Sequence, residues 1–314
     1  MVYVDDVTGY SKDCDRELRP LSSAYKVRDE SKLNYHLGMN RVEQVDGSIS
    51  LSSEKYFSNV LPHIERKHGI MRLYDTPMST GDRPELDTTP LLSTEEHRQF
   101  QSLVGIGQWL VQIGRWDISF AICSLSRFSA APREGHLERL LRIFGYLKKH
   151  PSFKVIIDSA SLQLEGIEYF NWDDPLLSLY GSAPDEDFIK SDGTSLQLTA
   201  FVDADHAHDC QISRSVSGYI IFLGSTPVSW KSSRQKVVAT STFASELLAL
   251  KQCVEEVLNI RATVMSLGAT IYNSTATILV DNRSVLLATK PGNELKKKHL
   301  AVAYNFVREA TAHG

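Results

Sequence analysis

Three carboxylates carry the clearest chemical signal in this chain: Asp203, Glu246 and Asp281. Asp203 ends the β-leaning run Leu196–Val202, and Asp281 ends the run Ala276–Val280. Strand ends are where ligands and catalytic groups collect in open α/β sheets, although they are also ordinary turn sites. Glu246 sits differently. At helical spacing it shares one face with Leu250, Cys253, Val257, Ile260 and Val264, whereas Glu255 falls on the opposite side. An acid on an apolar stripe is costly without a partner such as a metal ion, unless it stays wet in a fraying first turn where the helix dipole favours it. A second acidic feature is Asp5-Asp6 behind Tyr3-Val4. Such a pair is ordinarily a polar turn. Held rigidly at a hairpin tip, two adjacent carboxylates can instead bind divalent metals that clamp the oxygens of a phosphoryl transfer. The serines and histidines show no nucleophile elbow or triad spacing.

Several elements must position these groups. Met1–Val4 and Val7–Tyr10 flank the acidic pair as a hairpin. Asp46-Gly47 between Gly38–Val45 and Ser48–Ser52 predicts a second hairpin. From Thr94 to His150 the pattern is helical: Leu103, Val104, Gly107, Leu110 and Val111 share one face, as do Leu137, Leu140, Leu141, Phe144 and Leu147. Thr94, Asp117 and Pro132 precede the periodic runs, and Lys148-Lys149-His150 close the last. Beyond Leu196, strands are predicted at Gly218–Leu223 and Val228–Lys231. A helix follows, capped by Ser241 or Thr242 and stopped by Gly268 near Leu267. The strand Ala276–Val280, a short helix near Val285–Ala288 and a last helix from His299 to Ala310 complete a β-β-β-α-β-α order, which fits one mixed sheet covered by helices.

Composition bounds the function. The chain has 314 residues, 42% hydrophobic and 23% charged, which is ordinary globular usage and room for about two domains. No apolar run approaches the ~20 residues that span a bilayer. Met1–Lys12 lacks the basic start of a signal peptide, and Cys14, Cys123, Cys210 and Cys253 are scattered without metal or disulfide spacing. The expected setting is therefore intracellular, cytoplasmic or nuclear, with no membrane partner. A net charge of −4 speaks against nucleic acid. Yet residues 157–195 hold nine acids and one lysine, a net of −8, which leaves +4 on the rest. That acidic stretch, with Gly166, Pro175, Gly181, Pro184 and Gly193, reads as a connection between two folded parts, residues 1–156 and residues 196–314. Basic residues gather in the second of these: Lys231, Arg234, Lys236, and Lys296-Lys297-Lys298-His299. They are either phosphate contacts or a solvated charge run. Trp230 is expected in the core rather than stacked on a base.

Tyr3-Val4-Asp5-Asp6 resembles the catalytic hairpin of reverse transcriptases. The chain after it is similar to copia-type retrotransposon polyproteins at Leu37-Gly38-Met39, Ser50-Leu51-Ser52 through Tyr56, Ser102–Gly105, Arg115–Ile118, Leu125–Phe128 and Tyr146–Lys148. The second part resembles the ribonuclease H domain of the same elements. The blocks are Val202–Asp205, Arg214-Ser215 with Ser217–Tyr219, Phe222–Gly224, Ser229–Ser232, Glu246–Leu250, Val280–Asn282 with Ser284, Lys298-His299 and Phe306–Glu309. The resemblance implies an α/β chain. A palm and thumb remnant of reverse transcriptase comes first, then a ribonuclease H-like mixed sheet flanked by helices. It implies hydrolysis of RNA in RNA–DNA hybrids with two Mg²⁺ or Mn²⁺ ions, Asp203 bridging both and Glu246 and Asp281 each holding one. Selectivity for RNA would come from contacts to 2′-hydroxyls, and the remainder of a Pol polyprotein would be a partner, alongside hybrid or template-primer nucleic acid. The family's polymerase site takes a third aspartate from an upstream strand. Since the chain starts at Met1, Asp5 and Asp6 are expected to be two-thirds of a metal site without independent synthesis. The sequence departs from the family in several places. Trp116 replaces a usual Pro, and His206 a common Trp. Phe243-Ala244-Ser245 replaces an acid-rich run, and Ala301 takes the place of a fourth acid, with Asp205 and Asp209 as spare carboxylates nearby. The alternative is therefore a decayed remnant that at most binds nucleic acid.

Overall fold

A computed structural model describes residues 2–3, 6–7, 16, 19–20, 23, 33–158, 160–167, 195–289 and 300–313. Strands β1 (Val2–Tyr3) and β2 (Asp6–Val7) pair antiparallel, with Tyr3 opposite Asp6. The structure thus has a short hairpin at the acidic pair, but Asp5 and the Asp6 side chain lie outside the described residues.

A four-stranded antiparallel sheet follows, in the order β3 (Tyr35–His36), β4 (Met39–Glu43), β5 (Ile49–Ser52), β6 (Val155–Ile157). Asp46-Gly47 turns β4 into β5 as expected: Gly47 takes φ +84° and Asp46 Oδ1 accepts from Ser48 N at 2.9 Å. Leu37-Gly38 turns β3 into β4, with both residues at positive φ. That hairpin is hidden in the sequence because leucine is a poor signal for such a conformation.

Helices α1 (Glu54–His68), α2 (Thr94–Gln112), α3 (Ser119–Ser126) and α4 (Glu134–Lys149) share one core, and α1 packs on β4. Ser93 and Glu96 form a capping box at the start of α2. The periodic residues of α2 and α4 become a core in which Phe100, Leu110, Leu140, Phe144 and Leu147 are fully buried. Phe144 stacks on Phe57 of α1 with ring centroids 6.4 Å apart. Packing at Gly145 is tighter still. A Cβ there would lie 2.0 Å from the Arg72 carbonyl oxygen and 2.9 Å from the Tyr74 ring. Gly145→Ala should therefore destabilise by ~2–3 kcal/mol despite alanine's better helix propensity, because backbone blocks the methyl. Urea unfolding checks this, and a stabilised variant would contradict the packing.

The second sheet runs β9 (Thr226–Arg234), β8 (Val216–Leu223), β7 (Ser195–Asp205), β10 (Thr270–Val280). Pairing is antiparallel across β9, β8 and β7, and parallel between β7 and β10. Helix α5 (Thr242–Ser266) packs on this sheet, joined by α6 (Arg283–Thr289) and α7 (Ala301–His313). Ser241 caps α5 by accepting from Ala244 N at 3.2 Å, and Gly268 ends it at φ +85°. Leu198, Ala200 and Val202 of β7, Ile221 of β8 and Leu247, Leu250 and Val257 of α5 are buried together. The chain is thus an α/β protein with two cores, one on each side of the acidic connection. Among the described residues no helix is long and apolar enough to cross a membrane.

The two halves touch directly. Trp230 of β9 packs on the first core, and its indole N–H donates to the Val111 carbonyl at 2.8 Å. The start of the acidic stretch docks on the β8–β9 turn, where Thr226 Oγ1 accepts from Asp158 N and Ser225 N donates to the Ala160 carbonyl. Residues 168–194 of that stretch lie outside the described set.

Candidate metal centre

The parallel register of β7 and β10 sets Val202 opposite Val280. Adjacent strands run about 5 Å apart, so the next residues lie side by side: Asp203, still paired within the last residues of β7, which runs on to Asp205, and Asp281, just past the end of β10. Helix α5 brings Glu246 over them. Ligand oxygens of Asp203, Glu246 and Asp281 all lie within 4.8 Å of one another. The two aspartates are exposed, and Glu246 is only 5% exposed. Its helical face is the apolar one: Leu250, Cys253, Val257 and Val264 are buried, Ile260 half-buried and Glu255 exposed.

Three carboxylates this close repel unless a cation or a proton intervenes. Among the described residues no lysine, arginine or histidine forms an ion pair with any of them. Burial pushes the Glu246 carboxyl up from its ordinary 4.5 to about 7; the charges of Asp203 and Asp281 add to the rise, and the Ala204 amide opposes it. An all-oxygen donor set with open, water-facing aspartates fits a hard divalent cation such as Mg²⁺ or Mn²⁺. Such an ion would displace the proton on Glu246.

The sign of the resulting pH effect is fixed. Folded Glu246 keeps its proton up to about pH 7, whereas the unfolded chain releases it near 4.5. Its contribution to stability is full below 4.5 and is lost as pH rises through 7. In metal-free buffer at pH 8, Glu246→Gln should therefore be more stable than the wild-type chain by ~1–2 kcal/mol. That is less than the shift would give in a dry site, because water reaches the two aspartates. Below the ordinary value of 4.5 the two should converge. Melting curves in chelator at both pH values test this, and equal melting at pH 8 would contradict it.

The other sequence candidates separate. Asp205 is exposed, and its carboxylate pairs with His208 Nδ1 at 2.6 Å. Asp209 is 4% exposed and locked: Oδ1 accepts from Gln211 N and Ile212 N, and Oδ2 takes Arg127 at 3.0 Å and Arg234 at 3.5 Å. It is no spare metal ligand, because its charge is already spent. Ala301 opens α7 and offers no carboxylate. Lys231 and Lys236 are exposed, while Arg234 is half-buried and partly engaged by Asp209. Lys296, Lys297, Lys298 and His299 lie outside the described residues.

On sequence alone Glu85 has no role, and Arg127 only a place in the Leu125–Phe128 block, yet the two residues join the two halves. Arg127, at the end of α3, sits between Glu85 at 2.9 Å and Asp209 at 3.0 Å. Glu85 also accepts from Cys210 N, its carbonyl accepts from Gln211 Nε2, and Arg83 donates to the His208 carbonyl. These contacts hold the β7–β8 loop, which leaves the strand bearing Asp203. Partners so far apart in sequence leave no periodic signal.

No family model matches the chain, and no solved structure matches it. It is 28% identical along its whole length to the retrovirus-related Pol polyprotein from transposon RE1 of Arabidopsis thaliana, and 25% identical over 98% of its length to that from transposon TNT 1-94 of Nicotiana tabacum. A putative transposon Ty5-1 protein of Saccharomyces cerevisiae is 28% identical over 82% of the chain. The chain spans 19% of the RE1 polyprotein and 21% of the TNT 1-94 polyprotein. Its homologues are therefore retrovirus-related Pol polyproteins from transposons, and the chain is similar to one stretch of these much longer proteins.

Proposed function

We propose that this chain is a stretch of a copia-type retrotransposon Pol polyprotein whose second half is a ribonuclease H-type nuclease, cutting RNA in RNA–DNA hybrids with Mg²⁺ or Mn²⁺. The convergence of Asp203, Glu246 and Asp281 within 4.8 Å, without a basic partner among the described residues, carries the reading. The topology supports it too, since an antiparallel trio with a parallel fourth strand sets Asp203, near the end of β7, beside Asp281, just past β10. Divalent ions held there would supply activation of a water and neutralisation of charge on the leaving oxygen. The chain's own work is to hold those ions with its three carboxylates. Exposed Lys231 and Lys236 provide phosphate contacts that place the backbone without reading sequence, joined by Lys296–His299. Arg234 contributes less, because Asp209 engages it. The first half corresponds to the end of reverse transcriptase, with Asp5 and Asp6 as its acidic pair, in an intracellular setting.

The test is incubation of the purified chain with an end-labelled RNA–DNA hybrid and Mg²⁺. Cleavage of the RNA strand alone, stopped by chelator, is expected; an intact hybrid would overturn the assignment. Two observations favour a second reading, a decayed site that binds hybrid without cutting it. Ala301 supplies no fourth carboxylate, and Asp209 is tied up in ion pairs. Hybrid bound but never cut, at any Mg²⁺ concentration, would select that reading.

A further inference from the structure

Gln235 follows β9 between two cations, Arg234 and Lys236, yet it is only 8% exposed. Its backbone N–H donates to the Ser215 carbonyl at 2.8 Å. Its side-chain Nε2 donates twice, to Ser217 Oγ at 2.9 Å and to the Ser245 carbonyl at 2.8 Å. These two acceptors belong to different halves of the metal centre. Ser217 lies on β8 opposite Ala204, one pair along from Asp203 opposite Gly218. Ser245 is fully buried in the first turns of α5, immediately before Glu246. One amide group thus spans from the strand that flanks Asp203 to the helical turn that delivers Glu246. The same amide leaves Oε1 buried without a partner, which is a cost. On packing alone an apolar side chain of similar length fills the space without that cost. What it lacks is the donor pair.

We propose that Gln235 is a positioning residue for the metal centre, its Nε2 fixing the first turns of α5 against β8 and so setting the separation of Glu246 from Asp203. This rests on the reading of the three acids as a metal site. Groups that orient metal ligands without touching the ion typically change affinity by about 10–100-fold when removed.

The experiment is a Mn²⁺ titration of the full chain followed by electron paramagnetic resonance, with melting temperature measured in parallel. Wild type is compared with Gln235→Leu and with Gln235→Met, which keeps the reach and loses both donors. The expected result is about tenfold weaker Mn²⁺ binding in each variant that melts as one folded species at the assay temperature. A purely structural role lowers melting and leaves the affinity of the folded protein unchanged. Wild-type affinity in a folded variant overturns the proposal and leaves the metal centre standing. A wild-type chain that binds no Mn²⁺ overturns the metal centre itself, and this inference with it.

Discussion

Asp203→Asn is expected to abolish cleavage of an RNA–DNA hybrid while leaving the chain folded. Asparagine keeps the size of the side chain, and its amide oxygen can still accept from Ala204 N, which Asp203 Oδ1 does at 2.8 Å. What is lost is one of the three clustered charges that the proposed function assigns to divalent ions. Metal-held charge stabilisation supplies several kcal/mol of the barrier, and at about 1.4 kcal/mol per tenfold a loss of ~4 kcal/mol is roughly 10³-fold in rate. The same change predicts an opposite effect on the metal-free fold. Asp203 is one of the two charges that raise the Glu246 carboxyl. Its removal relieves repulsion, so the variant should melt slightly higher in chelator and gain less from added Mg²⁺ than the wild-type chain does. Single-turnover cleavage and melting with and without Mg²⁺ measure both effects. An unchanged rate would remove Asp203 from the site.

Arg127→Ala should produce the largest loss of stability. The guanidinium is 9% exposed and bridges Glu85 and Asp209, whose side chains are 2% and 5% exposed. Removing one member of a buried ion network leaves uncompensated charge and typically costs ~3–5 kcal/mol. Arg234, 3.5 Å from Asp209, retains some of the compensation there, and Glu85 has no equal substitute. Burial pushes the Glu85 carboxyl up, but backbone amides and Arg127 outweigh it and hold the group below its ordinary range. Its contribution is therefore present above the ordinary carboxylate pKa and lost as pH falls through the lowered value. Urea unfolding at neutral pH should show the loss. A cost under about 1 kcal/mol, typical of an exposed pair, would mean that the network does not hold the two halves together.

Local rules made much of this molecule legible. Period 3.6 locates α2 and α4, cap and stop residues locate α5, and helical spacing places Glu246 on the buried face of α5, because a single helix carries its own geometry in its sequence. Asp46-Gly47 marked its hairpin by turn chemistry. What stayed hidden depends on distant partners. The strand runs predicted at Gly218–Leu223 and Val228–Lys231 are longer in the fold, since pairing with neighbours extends them to Val216 and Arg234. The return of β6 to β5 and the parallel union of β10 with β7 join segments far apart in the chain, and only that union brings Asp281 beside Asp203. Asp209 is a spare carboxylate on sequence alone, and only the fold holds it against Arg127 and Arg234.

The most direct measurement is anomalous diffraction from crystals of the chain grown or soaked with Mn²⁺. The expected map shows Mn²⁺ coordinated by carboxylate oxygens of Asp203, Glu246 and Asp281. A cluster whose charge is instead neutralised by a lysine or arginine side chain, with Mn²⁺ elsewhere or nowhere, would contradict the metal centre.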